Sequence, residues 1–441
     1  MPSGDVRSFM NITEVQLGDF QPEWFVAVAH REGFVLLESG TGHRWSIVGV
    51  DPKRQIKKWD QINKKMSSTS KNKSVFPLLN GLIGYAAYPN VTLKNTIPDL
   101  RFYEFDSLLL HDHQKRKTYI THKTAADLKR WEAVFSGATI DPPIYKTSGT
   151  LRSSVTKAQY IKKIQQIKAL LAAGEVYQIN YAIRFTKKFE GDPYALYLKL
   201  VYDNPSEFAA YLNCGEFQII SSSPERLFRV REGKILTQPI KGTARKRANF
   251  QFLISNFKAN SKSEIPILEQ KSVDPNLLAL LGSEKERAEL DMITDLERND
   301  VGKICKYGTL KLKNERAILE LPNLWHTYSE VEGTLSLNTT PEQVITAMFP
   351  GGSITGCPKI RVMKYIEELE NLPRNIYTGS IGYISNTSSD LNMDFNITIR
   401  TALIQNGQIE YWAGGGIVAD SDPEKEYEEC MLKAEKFLSL L

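Results

Sequence analysis

The chain has 441 residues, of which 41% are hydrophobic and 24% are charged, and its formal net charge is +5. This length and composition are typical of one or two ordinary globular domains. The small positive charge comes without an Arg-rich helix or zinc-finger spacing, which argues against a nucleic-acid-binding protein and is compatible with anionic ligands.

The four cysteines are far apart and none forms a CxxC pair, which argues against a zinc site or a disulfide framework. The first residues, Met1-Pro2-Ser3-Gly4-Asp5, lack the apolar stretch of a signal peptide, and no run in the sequence is long enough to span a bilayer. We therefore expect a cytoplasmic protein with no membrane or nucleic-acid partner.

The first part of the chain predicts short strands separated by polar turns. Strands are expected at 25–29, 33–39, 45–50, 103–110 and 118–120, buried apolar structure at 81–88, and a helix at 125–135. The basic, serine-rich stretch 53–74 predicts an exposed loop. We interpret residues 1–145 as an N-terminal subdomain.

The segment 136–154 contains Gly, Pro and Ser with little periodicity, so we place a domain boundary there and a second domain at 150–441. In that domain we expect helices at 156–174, 193–202, 250–303 and from 423 onward, strands at 176–185 and 376–418, and a hairpin at 226–237. Hairpins interleaved with helices predict an α+β fold with large antiparallel sheets.

Glu225 and Lys241 flank the predicted hairpin. The hairpin is expected to carry Glu225 back beside Lys241, which would place a carboxyl group and an amine at one end of a sheet. An uncharged lysine amine is a good nucleophile. A solvated lysine at a strand end is the alternative, and this stretch alone does not decide between the two.

Two helical segments carry paired glutamates. Glu286 and Glu289 lie three residues apart, as do Glu426 and Glu429, so each pair shares one helix face, and Lys433 lies one turn beyond Glu429. Four carboxylates from two helices would suit Mg²⁺, a hard cation that takes oxygen ligands. Solvated, Glu-rich helix faces are the alternative.

Two glycine-rich stretches could approach a ligand closely. The triple glycine 414–416 precedes a helix for which Ser421 and Glu424 predict a capping box, and amides near a helix N-terminus attract anions. A flexible turn is the alternative. The stretch 351–359 has glycines at phosphate-loop spacing, but Cys357 stands where that motif requires lysine, so a nucleotide site is not predicted.

Arg400 lies on an otherwise apolar predicted strand, and Tyr377 lies near the start of the preceding strand. An arginine in this setting pairs either with a structural acid or with a ligand carboxylate. His326 is equally ambiguous, since a single histidine is more often a satisfied core residue.

Together these stretches resemble the chorismate-utilising enzymes, the family that includes the anthranilate, aminodeoxychorismate, isochorismate and salicylate synthases. The resemblance covers residues 150–441. The matching motifs, in the family's order, are Tyr177-Gln178, Ser223-Pro224-Glu225, Ile240-Lys241-Gly242-Thr243, Glu286-Arg287-Ala288-Glu289, Asp295-Leu296-Glu297-Arg298-Asn299-Asp300, Trp325-His326, 351–359, Ile399-Arg400-Thr401 and 414–433. The resemblance implies antiparallel sheets packed as a sandwich with surrounding helices.

The N-terminal part resembles the regulatory half of this family. Leu36-Leu37-Glu38-Ser39 is similar to the segment that binds tryptophan in anthranilate synthase. The resemblance therefore implies a regulatory, tryptophan-like pocket at Glu38 and Ser39.

Two positions distinguish the branches of the family. Members that use water as the nucleophile carry a lysine base where this chain has Gln178, and a neutral glutamine cannot activate water. Anthranilate synthases have alanine where this chain has Lys241. The chain is therefore most similar to the aminodeoxychorismate synthase branch, with anthranilate synthase as the alternative. A non-catalytic member of the family fits poorly with the intact acidic and lysine motifs.

The resemblance also implies roles for individual residues. Glu225 would be a general acid and Lys241 a nucleophile that bonds transiently to chorismate. Mg²⁺ would be held by Glu289 and Glu429, with Glu286 and Glu426 on its bound waters. The implied substrate-binding residues are Gly242, Thr243, His326, Tyr377, Arg400, Gly414, Gly415, Gly416 and Lys433. Ammonia would come from a separate glutamine amidotransferase subunit, because the chain has no Cys-His-Glu glutaminase motif.

Overall fold

The computed structural model describes residues 10–39, 44–67, 76–79, 81–135, 142–247, 274–320, 324–387 and 390–441. Its helices are α1 (Trp59–Ser67), α2 (Ala125–Phe135), α3 (Lys157–Ala172), α4 (Pro193–Asp203), α5 (Pro275–Gly282), α6 (Glu284–Gly302), α7 (Pro341–Met348), α8 (Lys359–Glu370) and α9 (Pro423–Leu438), with short 3-10 helices at Pro22–Phe25 and Gly352–Ile354.

The strands in the described residues are β1 (Asn11–Val15), β2 (Val35–Glu38), β3 (Trp45–Gly49), β4 (Arg54–Ile56), β5 (Gly81–Ala86), β6 (Leu100–Glu104), β7 (Leu108–Asp112), β8 (Lys117–His122), β9 (Tyr145–Ser153), β10 (Gln178–Gly191), β11 (Phe208–Asn213), β12 (Phe217–Ser223), β13 (Arg226–Arg231), β14 (Lys234–Thr237), β15 (Ile240–Arg245), β16 (Lys311–Glu320), β17 (Leu324–Thr334), β18 (Gly356–Cys357), β19 (Ser380–Thr387), β20 (Asp390–Asn396), β21 (Thr401–Gln405) and β22 (Gln408–Ile417).

These strands form two sheets. The twelve-stranded sheet has the order β1-β8-β7-β3-β2-β11-β12-β21-β22-β10-β18, with β9 also paired to β10. The ten-stranded sheet has the order β15-β17-β14-β13-β20-β19-β5-β6-β4, with β16 also paired to β17. Every strand pair among the described residues is antiparallel, so the predicted α+β fold with large antiparallel sheets is confirmed.

The core has three layers of buried side chains. One lies between the two sheets, a second between the larger sheet and helices such as α3, α4 and α9, and a third between the smaller sheet and helices such as α1 and α7. On β11, Ala210 and Leu212 face the layer between the sheets, whereas Ala209 and Tyr211 face the helices. Successive residues of a strand point to opposite faces, so a strand buried on both faces must be continuously apolar.

Two strands from the first part of the chain are built into the later sheets. β2 pairs with β11, and β5 pairs with β19. Strands from before residue 145 and after residue 150 therefore share both sheets. The division into subdomains 1–145 and 150–441 stays a prediction.

Local predictions succeeded where the periodicity was clear. The helices at 125–135, 156–174 and 193–202 are confirmed as α2, α3 and α4. The strand predicted at 25–29 is wrong. Phe25 ends a 3-10 helix, and Phe25, Val28 and Ala29 are buried at a spacing of three and four residues, which is the spacing of a helical turn.

The exposed loop predicted at 53–74 is also wrong in its described part. β4 and α1 lie there, because Ile56, Ile62 and Met66 bury their side chains in the core of the smaller sheet. The first part of the helical stretch predicted at 250–303 lies outside the described residues, and α5 and α6 account for the rest.

No helix within the described ranges is long and apolar enough to cross a membrane. The cytoplasmic location stays a prediction.

Two of the short crossovers between the sheets lie next to each other. Pro224 and Glu225 link β12 of the larger sheet to β13 of the smaller one, and residues 397–400 link β20 back to β21. The Ile397 N–H donates to the Glu225 carbonyl at 2.9 Å, and the Ser222 N–H donates to the Arg400 carbonyl at 3.0 Å. The two crossovers are therefore hydrogen-bonded to each other and to β12. They carry two of the expected site residues, Glu225 and Arg400.

Candidate active site

Glu225 lies on the first crossover with its carboxyl group inside the protein. Its side chain is 7% exposed, and the Ser353 hydroxyl donates to its Oε1 at 2.8 Å. Burial raises the pKa of Glu225, against the Ser353 hydrogen bond and the positive charges of Lys241 and Arg400, which favour the ionised form. A carboxyl group with a raised pKa keeps its proton to higher pH, as a general acid must.

Ser353 is a site residue that the sequence analysis did not single out. It lies in the 3-10 helix Gly352–Ile354, and the Thr355 hydroxyl donates to the Gly351 carbonyl at 2.8 Å within the same loop. The glycine-rich stretch 351–359 therefore serves to bring a hydroxyl group to Glu225. The serine between glycines was the available signal, and it has no meaning until the fold places Glu225 beside it.

Lys241 is directed into the site by a β-bulge. Lys241 pairs with Thr327 and Thr243 pairs with His326, which leaves Gly242 as an extra residue with a φ of +78°. Glycine adopts this left-handed conformation without a Cβ penalty, and such a bulge turns the neighbouring side chain. The Lys241 Nζ lies 4.0 Å from Oε2 of Glu289.

The hairpin did form, but it does not itself bring Lys241 beside Glu225. β13 pairs with β14 as predicted, whereas Lys241 lies on β15, which pairs with β17. The two side chains reach the same site from different strands, and the Lys241 charge acts on the Glu225 carboxyl group. The approach depends on β17, a partner distant in sequence.

The two acidic helices face each other across this site. Burial raises the pKa of Glu289, and the negative charges of Glu286 and Glu429 raise it further. Burial acts in the same direction on Glu429, but Lys433, whose Nζ lies 2.7 Å from Oε1 of Glu429, outweighs it and the pKa of Glu429 is lowered. The predicted pairing of α6 with α9 around one cluster of carboxylates therefore has electrostatic support.

Glu426, the other member of the glutamate pair on α9, is hydrogen-bonded to a serine. Burial raises the pKa of Glu426, and the Ser421 hydroxyl donates to its Oε1 at 2.6 Å. The capping box predicted at Ser421 and Glu424 is wrong, because Asp422 caps the helix by accepting from the Glu424 and Lys425 N–H groups at 3.0 Å each. Asp422 stands directly before Pro423, the first residue of the helix, where a capping carboxylate is effective.

The donor set suits Mg²⁺ in kind, because it consists of carboxylate oxygens whose like charges repel one another. Among the described residues, however, no group of three His, Cys, Asp or Glu side chains is arranged to hold a metal ion. Lys241, Lys285 and Lys433 lie close to the carboxylates of Glu289 and Glu429 instead. The magnesium site stays a prediction.

Arg400 is a half-buried cation in the same site. It lies just before β21 rather than on a strand, with a φ of +50°, a conformation uncommon outside glycine and often found at functional sites. Its guanidinium group forms no hydrogen bond or ion pair with any described residue. Burial lowers the pKa of Arg400, so the protein bears a desolvation cost that an anionic ligand would offset.

His326 and Thr243 meet across the bulge. The His326 ring Nδ1 lies 2.9 Å from the Thr243 hydroxyl and 3.2 Å from the Gly242 carbonyl. Burial lowers the pKa of His326. A neutral histidine next to Lys241 and Arg400 adds no further positive charge, and its role as a substrate contact stays a prediction.

The triple glycine is part of a strand and not a flexible turn. Gly414, Gly415 and Gly416 pair with β10 in register, and the absence of a side chain at Gly414 lets the strands approach, since a Cβ there would lie 2.3 Å from the Tyr181 carbonyl oxygen. Gly415 faces the site, where a Cβ would lie 3.6 Å from both a Glu426 oxygen and the Lys433 amine. The face of the strand at Gly415 therefore lies next to Glu426 and Lys433.

Tyr377 is buried next to the site. Its ring stacks on Trp412 with centroids 5.5 Å apart, and the Arg374 guanidinium lies over its other side at 5.3 Å. Burial raises the pKa of Tyr377 well above its usual range. The structure gives Tyr377 a packing role, and its substrate contact stays a prediction.

Comparison with known proteins places these residues in a family. The model of the chorismate binding enzymes matches residues 32–439. The chain belongs to this family. It is 33% identical to aminodeoxychorismate synthase component 1 of Bacillus subtilis, over 92% of this chain and 90% of that protein. It is 34% identical to anthranilate synthase component 1 of Aquifex aeolicus, over 82% of this chain and 74% of that protein.

A solved structure agrees with this assignment. Anthranilate synthase component I from Streptococcus pneumoniae superposes with a TM-score of 0.71 at 26% identity, covering 91% of this chain and 93% of that one. The chain is therefore a chorismate-utilising enzyme, with the sandwich of antiparallel sheets and surrounding helices that the resemblance implied.

In this chorismate-utilising enzyme, Gln178 is a second residue whose environment the sequence did not reveal. Its side chain is fully buried, and neither amide atom has a hydrogen-bond partner among the described residues. It lies against Gly416, where a Cβ would be 2.8 Å from its Nε2. A buried amide without a partner is costly, which marks this position as one where a ligand group would be favourable.

The expected regulatory residues line a cavity between the sheets. Glu38 and Ser39 contribute to a cavity of ≈ 170 Å³ that also includes Trp45, Phe208 and Asp394. The Tyr197 hydroxyl donates to Glu38 at 2.7 Å, and burial raises the pKa of Glu38. The Ser39 hydroxyl is buried with no partner among the described residues. That the cavity holds tryptophan stays a prediction.

Proposed function

We propose that this enzyme converts chorismate and ammonia to 4-amino-4-deoxychorismate, the activity of aminodeoxychorismate synthase component I. Relatives with this name and relatives named anthranilate synthase are about equally similar to the chain, at 33% and 34% identity. The choice therefore rests on one observation, the amine of Lys241 at the edge of the carboxylate cluster. Anthranilate synthase remains the alternative, since it needs no lysine nucleophile there.

The chemistry divides one displacement into two steps. Glu225 gives its proton to the C4 hydroxyl group, which leaves as water, while the Lys241 amine forms a bond to C2. Ammonia then bonds to C4 and the Lys241 nitrogen departs from C2, which restores the ring double bonds. Burial raises the pKa of Glu225, which favours the protonated form that the first step needs, and the bulge at Gly242 would turn Lys241 toward the substrate.

Chorismate carries two carboxylates, which fit the charges of the site. Arg400, which has no anionic partner among the described residues, would fork onto one of them. Glu289 and Glu429 would hold Mg²⁺ with the support of Glu286 and Glu426, and the ion would supply positive charge for the other carboxylate. Thr243 and His326, which are hydrogen-bonded to each other at 2.9 Å, would contact a ring oxygen.

Gln178 favours ammonia over water as the nucleophile. Ammonia attacks without a base, whereas water must lose a proton as it attacks. The Gln178 amide is buried and neutral, and it cannot take up that proton. This supports amination over the hydroxylation that water-using members of the family perform.

The ammonia would come from a glutamine amidotransferase subunit. The curated relatives are named as a first component, which is consistent with a second one. We expect the isolated chain to use ammonium salts and not glutamine. Turnover with glutamine by the purified chain alone would contradict this assignment.

The test is to identify the product formed from chorismate, ammonium and Mg²⁺. A non-aromatic amino product supports the proposal, and fluorescent anthranilate supports the alternative. Without ammonium, intact-mass analysis should detect chorismate minus water attached to the wild type. Lys241→Ala should lose both the adduct and most of the turnover.

Lys234→Ala is the matched control for Lys241→Ala. Lys234 lies on the neighbouring β14 and pairs with Glu332 at the surface, so its removal should leave the adduct in place. Normal amination by Lys241→Ala would remove the lysine from the mechanism. Full activity in the presence of a chelator would show that the reaction requires no metal ion.

A further inference from the structure

Glu297 is a buried carboxyl group to which the mechanism above gives no role. It lies on α6 two turns beyond Glu289 and is 3% exposed. Its Oε2 lies 2.5 Å from the hydroxyl oxygen of Thr237, which is fully buried on β14. The sequence analysis included 295–300 among the matching motifs and assigned no role to Glu297.

The number of hydrogens available around Thr237 favours a protonated Glu297. The Thr237 hydroxyl oxygen also lies 2.8 Å from the Leu227 carbonyl oxygen. A hydroxyl group carries one hydrogen, and an ionised Glu297 and the Leu227 carbonyl both only accept. If Glu297 carries a proton, it donates to Thr237 and Thr237 donates to Leu227, and every short contact is then satisfied.

The charges around Glu297 favour the same state. Its pKa is raised to about 8, chiefly by burial, with the negative charges of Glu225 and Asp300 adding to the effect and Lys359 opposing it. Asp300 lies one turn further along the helix. Its carboxylate accepts hydrogen bonds from the ammonium groups of Lys303 at 2.8 Å and Lys359 at 2.5 Å. No described cation bonds to Glu297 itself, so ionisation there would leave a buried charge unpaired.

Glu297 is coupled to the general acid. Thr237 joins Glu297 to Leu227, which is two residues beyond Glu225, and the charge of Glu225 acts directly on Glu297. Two carboxyl groups that sense each other in a buried site do not both ionise readily. The protonation state of one therefore sets how easily the other gives up its proton.

We propose that Glu297 is held as a neutral carboxylic acid hydrogen-bonded to Thr237, and that it is a positioning residue for Glu225. Its neutrality leaves Glu225 free to become the only negative charge at the crossover when it protonates the leaving hydroxyl group. The second half of this statement rests on the proposed function of Glu225, whereas the first half does not.

The first half is tested by the pH dependence of unfolding. An unfolded glutamate is ionised above about pH 4.5, whereas folded Glu297 keeps its proton up to about pH 8. Because the folded chain binds the extra proton, rising pH favours the unfolded state in this interval. The ratio of the unfolding constants of wild type and Glu297→Gln should rise about tenfold for each pH unit between about pH 5.5 and about pH 7.5, and level off above about pH 8.

Glu104→Gln is the matched control. Glu104 is also buried, and burial alone would raise its pKa, but its ion pairs with Lys65 and Arg54 lower the pKa overall. It is therefore ionised in both states over this interval, and the corresponding ratio should stay constant. A constant ratio for Glu297→Gln would overturn the proposal. If that variant does not fold, Glu297→Met removes the same titrating group.

The second half is tested by the pH profile of chorismate turnover. Near neutral pH, Glu297→Gln should stay within about threefold of the wild type, since the glutamine amide can donate to Thr237 as the acid does. Above about pH 8 the wild type should lose more activity than Glu297→Gln, because Glu297 ionises there only in the wild type, whereas Glu225 loses its proton in both proteins. Identical profiles, or a large loss at neutral pH, would overturn the positioning role. If the enzyme does not aminate chorismate at all, the proposed function fails, and the unfolding measurement still decides the state of Glu297.

Discussion

Two arginines near the site illustrate how a buried charge can serve either the scaffold or the ligand. Arg374 is 1% exposed, and it donates to Glu370 twice, to the Ile354 and Asn180 carbonyls and to the Thr378 hydroxyl. It thereby connects α8, β10 and the loop that carries Ser353. Arg400 is half-buried and has no such partner among the described residues.

The two guanidinium groups differ in which groups supply their hydrogen-bond and charge partners. Arg374 is satisfied by the protein alone, so its removal affects folding. Arg400 has no such partner among the described residues, so we expect its removal to affect ligand binding. The carboxyl groups differ in the same way, because Glu370 has an arginine partner, whereas the side-chain donor to Glu225 is the neutral hydroxyl group of Ser353. The three predictions below test this contrast, beginning with the largest expected effect.

Arg374→Met should lower the free energy of unfolding by about 3–5 kcal/mol, because it leaves the buried Glu370 carboxylate unpaired. Chemical denaturation measures this change. Arg31→Met is the control, since Arg31 pairs with Asp51 at the surface, where such pairs contribute about 1 kcal/mol or less. If both variants lowered the free energy of unfolding equally, the distinction between buried scaffold charges and surface charges would be wrong.

Arg400→Met should raise the KM for chorismate by about 10- to 100-fold, the value of a lost charge-assisted hydrogen bond. It should leave the free energy of unfolding unchanged or increase it, because a desolvated charge without a partner is removed. Arg400→Lys keeps the charge but lacks the planar fork, so it should restore KM only in part. A marked loss of stability in Arg400→Met would show that this arginine belongs to the scaffold.

Ser353→Ala should have the smallest effect, a change in pH dependence. The Ser353 hydrogen bond favours the ionised form of Glu225, so its loss raises the pKa of Glu225 further. The alkaline limb of kcat/KM, where the general acid loses its proton, should then move to higher pH by about one unit or less. Ser380→Ala is the control, because that buried hydroxyl group donates to the Asn396 carbonyl. A shift toward lower pH would contradict the assignment of Glu225 as the acid.

The sequence predicted the parts of this molecule that depend on local pattern. The helices at 125–135 and from 423 onward, the hairpin at 226–237 and the strand at Gln178 follow from periodicity and turn residues. The pairing of β2 with β11 could not be predicted, because the order of strands in a sheet depends on contacts between distant residues. For the same reason, the sequence attributed the approach of Lys241 to Glu225 to the hairpin at 226–237 and did not reveal the role of β17.

At the site, residue types were predictable but environments were not. Glu225, Lys241 and the paired glutamates stand out in the sequence because the combination of these residue types is unusual. The neutrality of Glu297 depends on burial and on the single hydrogen of Thr237. The missing partners of Gln178 and Arg400 depend on what the fold leaves unfilled. Such properties exist only once distant segments are packed together.

The two crossovers that carry Glu225 and Arg400 contain no spare residues at the site. Two residues separate β12 from β13, and four separate β20 from β21, and both crossovers are pinned by backbone hydrogen bonds. One residue inserted into either would reverse the inward and outward faces of the strand that follows. Evolution can therefore lengthen the outer hairpins of this enzyme freely, whereas at these junctions it can only exchange one side chain for another.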